Sequence, residues 1–145
     1  MDFSDDFFSE KEAMTRVTPD VVEMLQDGQV FVFGSNAAGQ HNGGAAFMAL
    51  QRFGAVDGQR EGLQGQSYAI PTDGQTIPAI RRSIDRFIAF ADMHPEMTFL
   101  VTRVGCGTAG YTDEQIAPLF AGAYSLPNVY LPASFWKVLT YRYNM

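Results

Sequence analysis

The chain has 145 residues, 46% hydrophobic, 13% aromatic and only 18% charged, which suits one domain with a proper core. Its formal net charge is −6 and it has no run of Lys or Arg, so a nucleic-acid backbone or an anionic membrane is not expected as the main partner. One cysteine excludes an internal disulfide and a multi-cysteine metal site; His41 and His94 share no ligand spacing, so neither a metal nor a required cofactor is expected.

No apolar run approaches the length of a membrane span, and the acidic beginning lacks the basic-then-apolar form of an export signal. A cytoplasmic protein without a membrane partner is expected. Residues 1–15 set Asp2, Asp5, Asp6, Glu10 and Glu12 among Phe3, Phe7 and Phe8. They read either as a frayed acidic arm or as a short amphipathic piece laid on a domain spanning residues 16–145. Thr18-Pro19-Asp20 predicts a helix start, with Thr18 as cap and Pro19 at the first helical position, running to Gln26 and stopping at Asp27-Gly28.

Val30–Phe33 is an unbroken apolar run, the pattern of a strand buried on both faces. It is expected to end at Gly34-Ser35-Asn36, in a glycine-rich loop that passes Gly39, Gly43 and Gly44 before a helix begins at Ala45-Ala46. Strand, glycine-rich loop and helix together aim backbone N–H groups and a positive helix end at an anion. Gly43 and Gly44 let the backbone come close to a phosphate, and the Asn36 amide can both donate and accept.

Ala46, Phe47, Ala49, Leu50 and Phe53 predict the buried face of that helix, closed by Gly54. Val56–Gly65 reads as an irregular connection, and Gln66–Ile70 as a second strand that ends in the turn Pro71-Thr72-Asp73-Gly74. Pro78 opens an amphipathic helix with Ile80, Ile84, Phe87, Ile88 and Ala91 inward and Arg81, Arg82, Asp85 and Arg86 outward. Thr98–Val104 is the third strand, followed by a second glycine loop, Gly105–Tyr111. Thr112-Asp113-Glu114 caps a further helix that Pro118 must kink or restart. Asn128–Leu131 is a short fourth strand, followed by Pro132 and Ser134-Phe135-Trp136.

Strands alternating with helices predict a single three-layer α/β/α domain with a mostly parallel central sheet. In that architecture ligands sit beyond the carboxyl ends of the strands, where both glycine loops fall, so a phosphate-bearing nucleotide is expected there. The Rossmann spacing GxGxxG and the P-loop ending GK[ST] are both absent. No Lys or Arg occurs within Gly34–Phe47 or Gly105–Pro118, so backbone N–H groups and helix ends are expected to meet the phosphate charge.

Three groups of residues invite a chemical reading beside a plainer one. Cys106 is a nucleophile if His41 or Arg103 activates it, and otherwise a small residue packed under a loop. Asp73 and Asp113 can activate a water, or serve a turn and the first turn of a helix. Tyr111 and Phe135-Trp136 can offer a face to a base, although core packing is the simpler role for Trp136.

In order and spacing, three stretches resemble the macro domains, which bind ADP-ribose. Val30–Phe53 resembles their first strand, Asn loop and glycine-rich helix entry; Gln66–Thr72 their middle strand; Thr98–Tyr111 their second phosphate loop. The likeness covers Val30–Phe120. It is nearest the branch containing the terminal ADP-ribose protein glycohydrolase, through Gly43-Gly44-Ala45, Phe53-Gly54, Tyr68-Ala69-Ile70 and Arg103-Val104-Gly105-Cys106-Gly107.

The resemblance implies a macro-domain-like fold. It implies as ligand ADP-ribose or a related NAD-derived nucleotide, free or carried on an ADP-ribosylated macromolecule. Asn36 would orient the distal ribose, Gly43, Gly44, Ala45 and Ala46 would line the diphosphate or that ribose, and Gly105, Cys106, Gly107, Thr108, Ala109, Gly110 and Tyr111 would wrap the phosphates. Gly34, Ser35 and Thr72 complete the expected binding set, with Asn36 and His41 as catalytic candidates and Asp20, by order, as adenine reader. The glycohydrolase branch has a lysine where Thr72 or its neighbours stand and an aspartate where Ala109 stands, so its lysine-and-aspartate chemistry does not carry over. The expected function is therefore nucleotide binding with at most weak ADP-ribosyl hydrolysis. A Cys106-dependent enzyme and a ligand-free interaction domain on the same scaffold are the alternatives.

Overall fold

β1 (Gln29–Asn36) buries Val30 and Val32 on one face and Phe31 and Phe33 on the other, so it is suited only to the middle of a covered sheet. The structure, a computed structural model, describes residues 10–143. In it β1 lies between β3 (Ser67–Asp73) and β4 (Thr98–Val101), parallel to both. β5 (Val129–Tyr130) continues the sheet in parallel beyond β4, and β2 (Gly62–Gln64) runs antiparallel on the outside of β3. The order β2-β3-β1-β4-β5 makes a five-stranded mixed, mostly parallel sheet.

Helices cover both faces, as the alternation predicts. α2 (Gly44–Arg52) brings Ala46 and Ala49 onto Phe31, Phe33 and Ala69. On the opposite face α3 (Ile77–Met93), a 3-10 segment (Ala117–Ser125) and α5 (Ala133–Tyr143) enclose Val30, Val32, Ile70, Phe99 and Val101. Ile80, Ile84, Phe87 and Ala91 form the expected inward stripe of α3, while Arg81, Arg82, Asp85 and Arg86 are exposed. α4 (Asp113–Ile116) starts on a capping box between Thr112 and Gln115 and tightens into the 3-10 segment where Pro118 removes a donor. Among the described residues no helix is long and apolar enough to cross a membrane.

Of the stretch expected as an acidic arm, residues 1–9 lie outside the described residues. Glu10–Ala13 form the short helix α1, with Ala13 buried. Arg16 is also buried: its guanidinium donates to the carbonyls of Leu126 and Tyr124 and lies 5.1 Å from the Trp136 ring centroid.

Several expectations need correction. Thr18–Gln26 is not helical. The Thr18 N–H donates to the Leu131 carbonyl at 2.9 Å and the Leu131 N–H to the Arg16 carbonyl at 3.2 Å, so Val17 bridges in parallel to Leu131. The sheet edge thus claims the backbone that a cap at Thr18 would have turned, and Val22 packs with the core on the α2 face. Val56–Gly65 is not wholly irregular, because Gly62–Gln64 form β2.

The first strand continues through Gly34, Ser35 and Asn36, which pair with Ile70, Pro71 and Asp73 across a bulge between Ser35 and Asn36. The second strand likewise runs on through Pro71-Thr72-Asp73 rather than turning there. Pro71 is tolerated because β2 pairs with β3 only as far as Ala69, leaving one side of the strand open. The third strand is shorter than expected and ends at Val101: the Thr102 N–H makes the last ladder bond, to the Val32 carbonyl at 3.1 Å, and the Thr102 hydroxyl donates to the same oxygen at 2.7 Å. Phe47, expected on the buried face of α2, is 43% exposed.

Candidate functional site

After β1 the chain builds the β2–β3 side of the sheet and then crosses to β4, so strand order reverses between β1 and β4. At such a reversal the following loops part and leave a crevice. Here the carboxyl ends of β1, β3 and β4 open into a cavity of about 320 Å³.

Its first wall is the start of α2. Gly43 caps the helix without a side-chain bond, and the first turn has no acidic residue. The Phe47 N–H donates to the Gly43 carbonyl at 3.2 Å, so the N–H groups of Gly44, Ala45 and Ala46 lie ahead of the ladder, on residues that line the cavity. Gly44 has φ +56°, and no atom lies within 4 Å of where its Cβ would be. Glycine is needed there for its conformation, and the space beside it is open.

The opposing wall is the Gly105–Tyr111 loop. It is folded by three main-chain bonds: Cys106 N–H to Arg103 O at 3.2 Å, Gly110 N–H to Gly107 O at 3.0 Å and Tyr111 N–H to Gly105 O at 2.9 Å. None uses the N–H groups of Gly107, Thr108 or Ala109, which have no partner among the described residues, and all three residues line the cavity. Two sets of unengaged donors therefore meet across one crevice.

The floor comes from β1 and β3. A Cβ on Gly34 would lie 2.6 Å from the Thr72 hydroxyl, so glycine at 34 is what lets the two strand ends close under the cavity. The Asn36 amide is closed on the main chain of Gln40: its nitrogen donates to the Gln40 carbonyl at 3.1 Å and its oxygen accepts the Gln40 N–H at 3.0 Å. Asp73, in register with Asn36, lines the cavity, and its carboxylate has no partner among the described residues.

Of the expected binding residues, Gly34, Ser35, Asn36, Gly43, Gly44, Ala45, Ala46, Thr72, Gly105, Gly107, Thr108 and Ala109 line this cavity; Cys106, Gly110 and Tyr111 do not. The Tyr111 hydroxyl donates to the Gln75 carbonyl, tying the loop to the turn after β3, and its ring packs on the core. The Cys106 thiol is half-buried, 3.8 Å from an Asp113 carboxylate oxygen. Burial, with Asp113 beside it, pushes that thiol up to about 11. His41 is 1% exposed and also lies off this cavity. Its Nε2 lies 3.1 Å from the Gln64 side-chain oxygen, which also accepts the Val56 N–H, while the Gln64 nitrogen donates to Gln59 and Gly62 carbonyls. That network assigns the ring proton to Nε2 and leaves Nδ1 buried without a partner among the described residues.

Arg103 reaches the cavity wall, contrary to the expectation that only backbone groups would meet ligand charge there. Its Nε and Nη2 donate to the two Asp113 carboxylate oxygens, each at 3.0 Å. The Ser134 hydroxyl donates to the same carboxylate at 3.0 Å. Burial pushes the Asp113 carboxyl up, but hydrogen bonds from Arg103 and Ser134 outweigh it and hold the group below its ordinary value. The sequence signal for Arg103 was hidden by the third strand's apparent length: ending at Val101 instead of Val104, it releases Arg103 from the alternation of the sheet.

A second cavity, lined by Thr18, Pro19, Asp20, Pro132, Ala133 and Ser134, shares Thr102 and Arg103 with the first. The buried Thr18 hydroxyl there has no hydrogen-bond partner among the described residues. Phe135 and Trp136 offer no face to it: both are buried, and the Trp136 N–H donates to the Arg16 carbonyl at 2.7 Å. Comparisons with protein-family models, curated proteins and solved structures find no match to this chain.

Proposed function

We propose that this chain binds ADP-ribose or a related NAD-derived nucleotide, with the diphosphate between the start of α2 and the Gly105–Ala109 loop. The observation that carries this reading is the convergence of two sets of unengaged N–H groups, on Gly44–Ala46 and on Gly107–Ala109, upon one cavity. Hydrogen bonds from such groups to an ionised oxygen are about twice as strong as neutral ones. The resemblance to macro domains supports the same ligand. The second cavity suits the nucleoside, with the Asp20 carboxylate available to accept from an adenine amine. The ligand can be free or carried on an ADP-ribosylated macromolecule, and the cytoplasm is the proposed place of action.

Hydrolysis is slow or absent on this reading. The first cavity has Thr72 and Ala109 where the glycohydrolase branch has its lysine and aspartate, and Asp73 is the one carboxylate on its wall among the described residues. A Cys106-dependent enzyme is disfavoured, because the thiol lies off the cavity and its raised pKa keeps it protonated near neutrality. Titration calorimetry with ADP-ribose, ADP, AMP and NAD tests the proposal. Binding of ADP-ribose and ADP is expected; binding of neither overturns it.

A further inference from the structure

We infer that Arg103, clamped by Asp113, is the cation that makes this site prefer a diphosphate ligand spanning both cavities. The inference rests on the proposed nucleotide site and adds a side chain to a ligand reading otherwise built on backbone.

Among the described residues Arg103 is the one Lys or Arg that lines either cavity, and it lines both. The other ionised groups on these walls are carboxylates, Asp73 in the first cavity and Asp20 in the second. The whole chain carries a formal charge of −6. Among the described residues on these walls, a diphosphate thus meets this guanidinium as its one cationic side chain, already paired on one edge with Asp113.

The clamp fixes which edge of Arg103 is free. Nε and Nη2 are committed to Asp113, and Asp113 is itself held by the Ser134 hydroxyl at the start of α5. Nη1 has no partner among the described residues. The Arg103 side chain is 55% exposed and that of Asp113 21%, so the guanidinium itself stands largely in solvent, where an ion pair contributes little to stability. Its placement at the shared wall has a direct use in binding. ADP-ribose with its adenine in the second cavity and its far ribose in the first must pass its diphosphate along that wall into the space between α2 and the Gly105–Ala109 loop. Arg103 then contacts the crossing phosphate, and Asp113 acts as a positioning residue.

The test measures the affinities of ADP-ribose, ADP and AMP for the parent chain and for Arg103→Gln, Arg103→Lys and Asp113→Asn. Arg103→Gln is expected to lose about tenfold in affinity for ADP-ribose and ADP, the size of one hydrogen bond to a charged group, and less for AMP. Arg103→Lys, which keeps charge but cannot make the two-point clamp, and Asp113→Asn, which loosens it, should each lose part of the affinity, and less than Arg103→Gln. Parent affinity should decline as the screening length shrinks from about 30 Å at about 0.01 M salt to about 3 Å at about 1 M, and the decline should be shallower in Arg103→Gln. A thermal midpoint for each variant close to the parent's establishes that all are folded. If the parent binds ADP-ribose and Arg103→Gln binds it equally well, with the same salt dependence, this inference fails while the proposed function stands. Loss in Arg103→Lys with retention in Arg103→Gln also overturns it, since planarity rather than charge would then matter. If the parent binds neither ADP-ribose nor ADP, the proposed function fails and takes this inference with it.

Discussion

Asn36 holds Gln40 by both ends of its amide, at 3.1 Å from the nitrogen and 3.0 Å from the oxygen, and so shapes the loop that leads into α2. The side chain expected to orient a ribose is thus first a template for the main chain. Asn36→Ala should lower stability by about 1–2 kcal/mol, the net worth of two such bonds, and weaken ADP-ribose binding as Gly43 and Gly44 lose their placement. Asn36→Asp can still accept the Gln40 N–H but cannot donate to its carbonyl, and it adds a negative charge beside the phosphates. Denaturant unfolding and calorimetry on both variants check this; parent-like affinity in Asn36→Asp would contradict it.

Gly43 and Gly44 separate two reasons for glycine. Gly43 is extended, with φ −162°, and no atom lies within 4 Å of its would-be Cβ, so any residue fits the backbone there. Gly43→Ser should supply the missing cap and stabilise α2 by a few tenths of a kcal/mol, while its hydroxyl occupies the N–H groups that the ligand needs. Stability up and affinity down is the expected pair of signs. Gly44, at φ +56°, should cost about 1–2 kcal/mol on replacement by Val and also lose nucleotide binding, because the side chain enters the open space of the cavity. Tight ADP-ribose binding by a folded Gly44→Val would remove the start of α2 from the site.

What could be read from the sequence depended on whether local pattern and long-range pairing agreed. Val30–Phe33 and Ile80–Ala91 were legible because their apolar spacing states a period and the tertiary fold uses it. Thr18-Pro19-Asp20 misled because its cap signal is local, while its backbone is claimed by Leu131, more than a hundred positions away. β2 was hidden because Gly62-Leu63-Gln64 has no strand pattern and is drawn into the sheet by pairing with Ser67–Ala69. The glycine loops are legible from composition, and Arg103 as a neighbour of Cys106, but its place on the cavity wall depends on β4 ending at Val101, which the apolar run to Val104 conceals. His41 reads as a base from its loop, although its Nε2 is bonded to Gln64 and its ring lies edge-on to Phe33 off the cavity, centroids 5.0 Å apart.

Cys106 gives a pH signature. Burial and Asp113 raise its thiol from the ordinary 9.0 to about 11. The fold therefore favours the protonated form, and this contribution to stability is complete below pH 9.0 and is lost as pH rises through about 11. Unfolding of the parent and of Cys106→Ser, compared from neutrality upward, should diverge only in that alkaline window. Alkylation of the native thiol should stay slow near neutrality and accelerate there too. Fast alkylation at neutral pH, protected by ADP-ribose, would revive the thiol as a working group.

Asp73 decides the last question, whether the site turns its ligand over. Hydrolysis of an ADP-ribosyl bond needs a positioned water and a group to take its proton. His41 lies off the cavity and Asp113 is engaged by Arg103 and Ser134, whereas the Asp73 carboxylate lines the first cavity with no partner among the described residues. The same negative charge opposes a diphosphate ligand. Asp73→Asn should therefore raise ADP-ribose affinity, by the 0.2–1 kcal/mol or so typical of exposed charge pairs, and abolish any slow release of ADP-ribose from modified protein. Calorimetry and a release assay read the two effects separately. Release that continues in Asp73→Asn at the parent's rate would clear Asp73 and leave the bound substrate itself to orient the water.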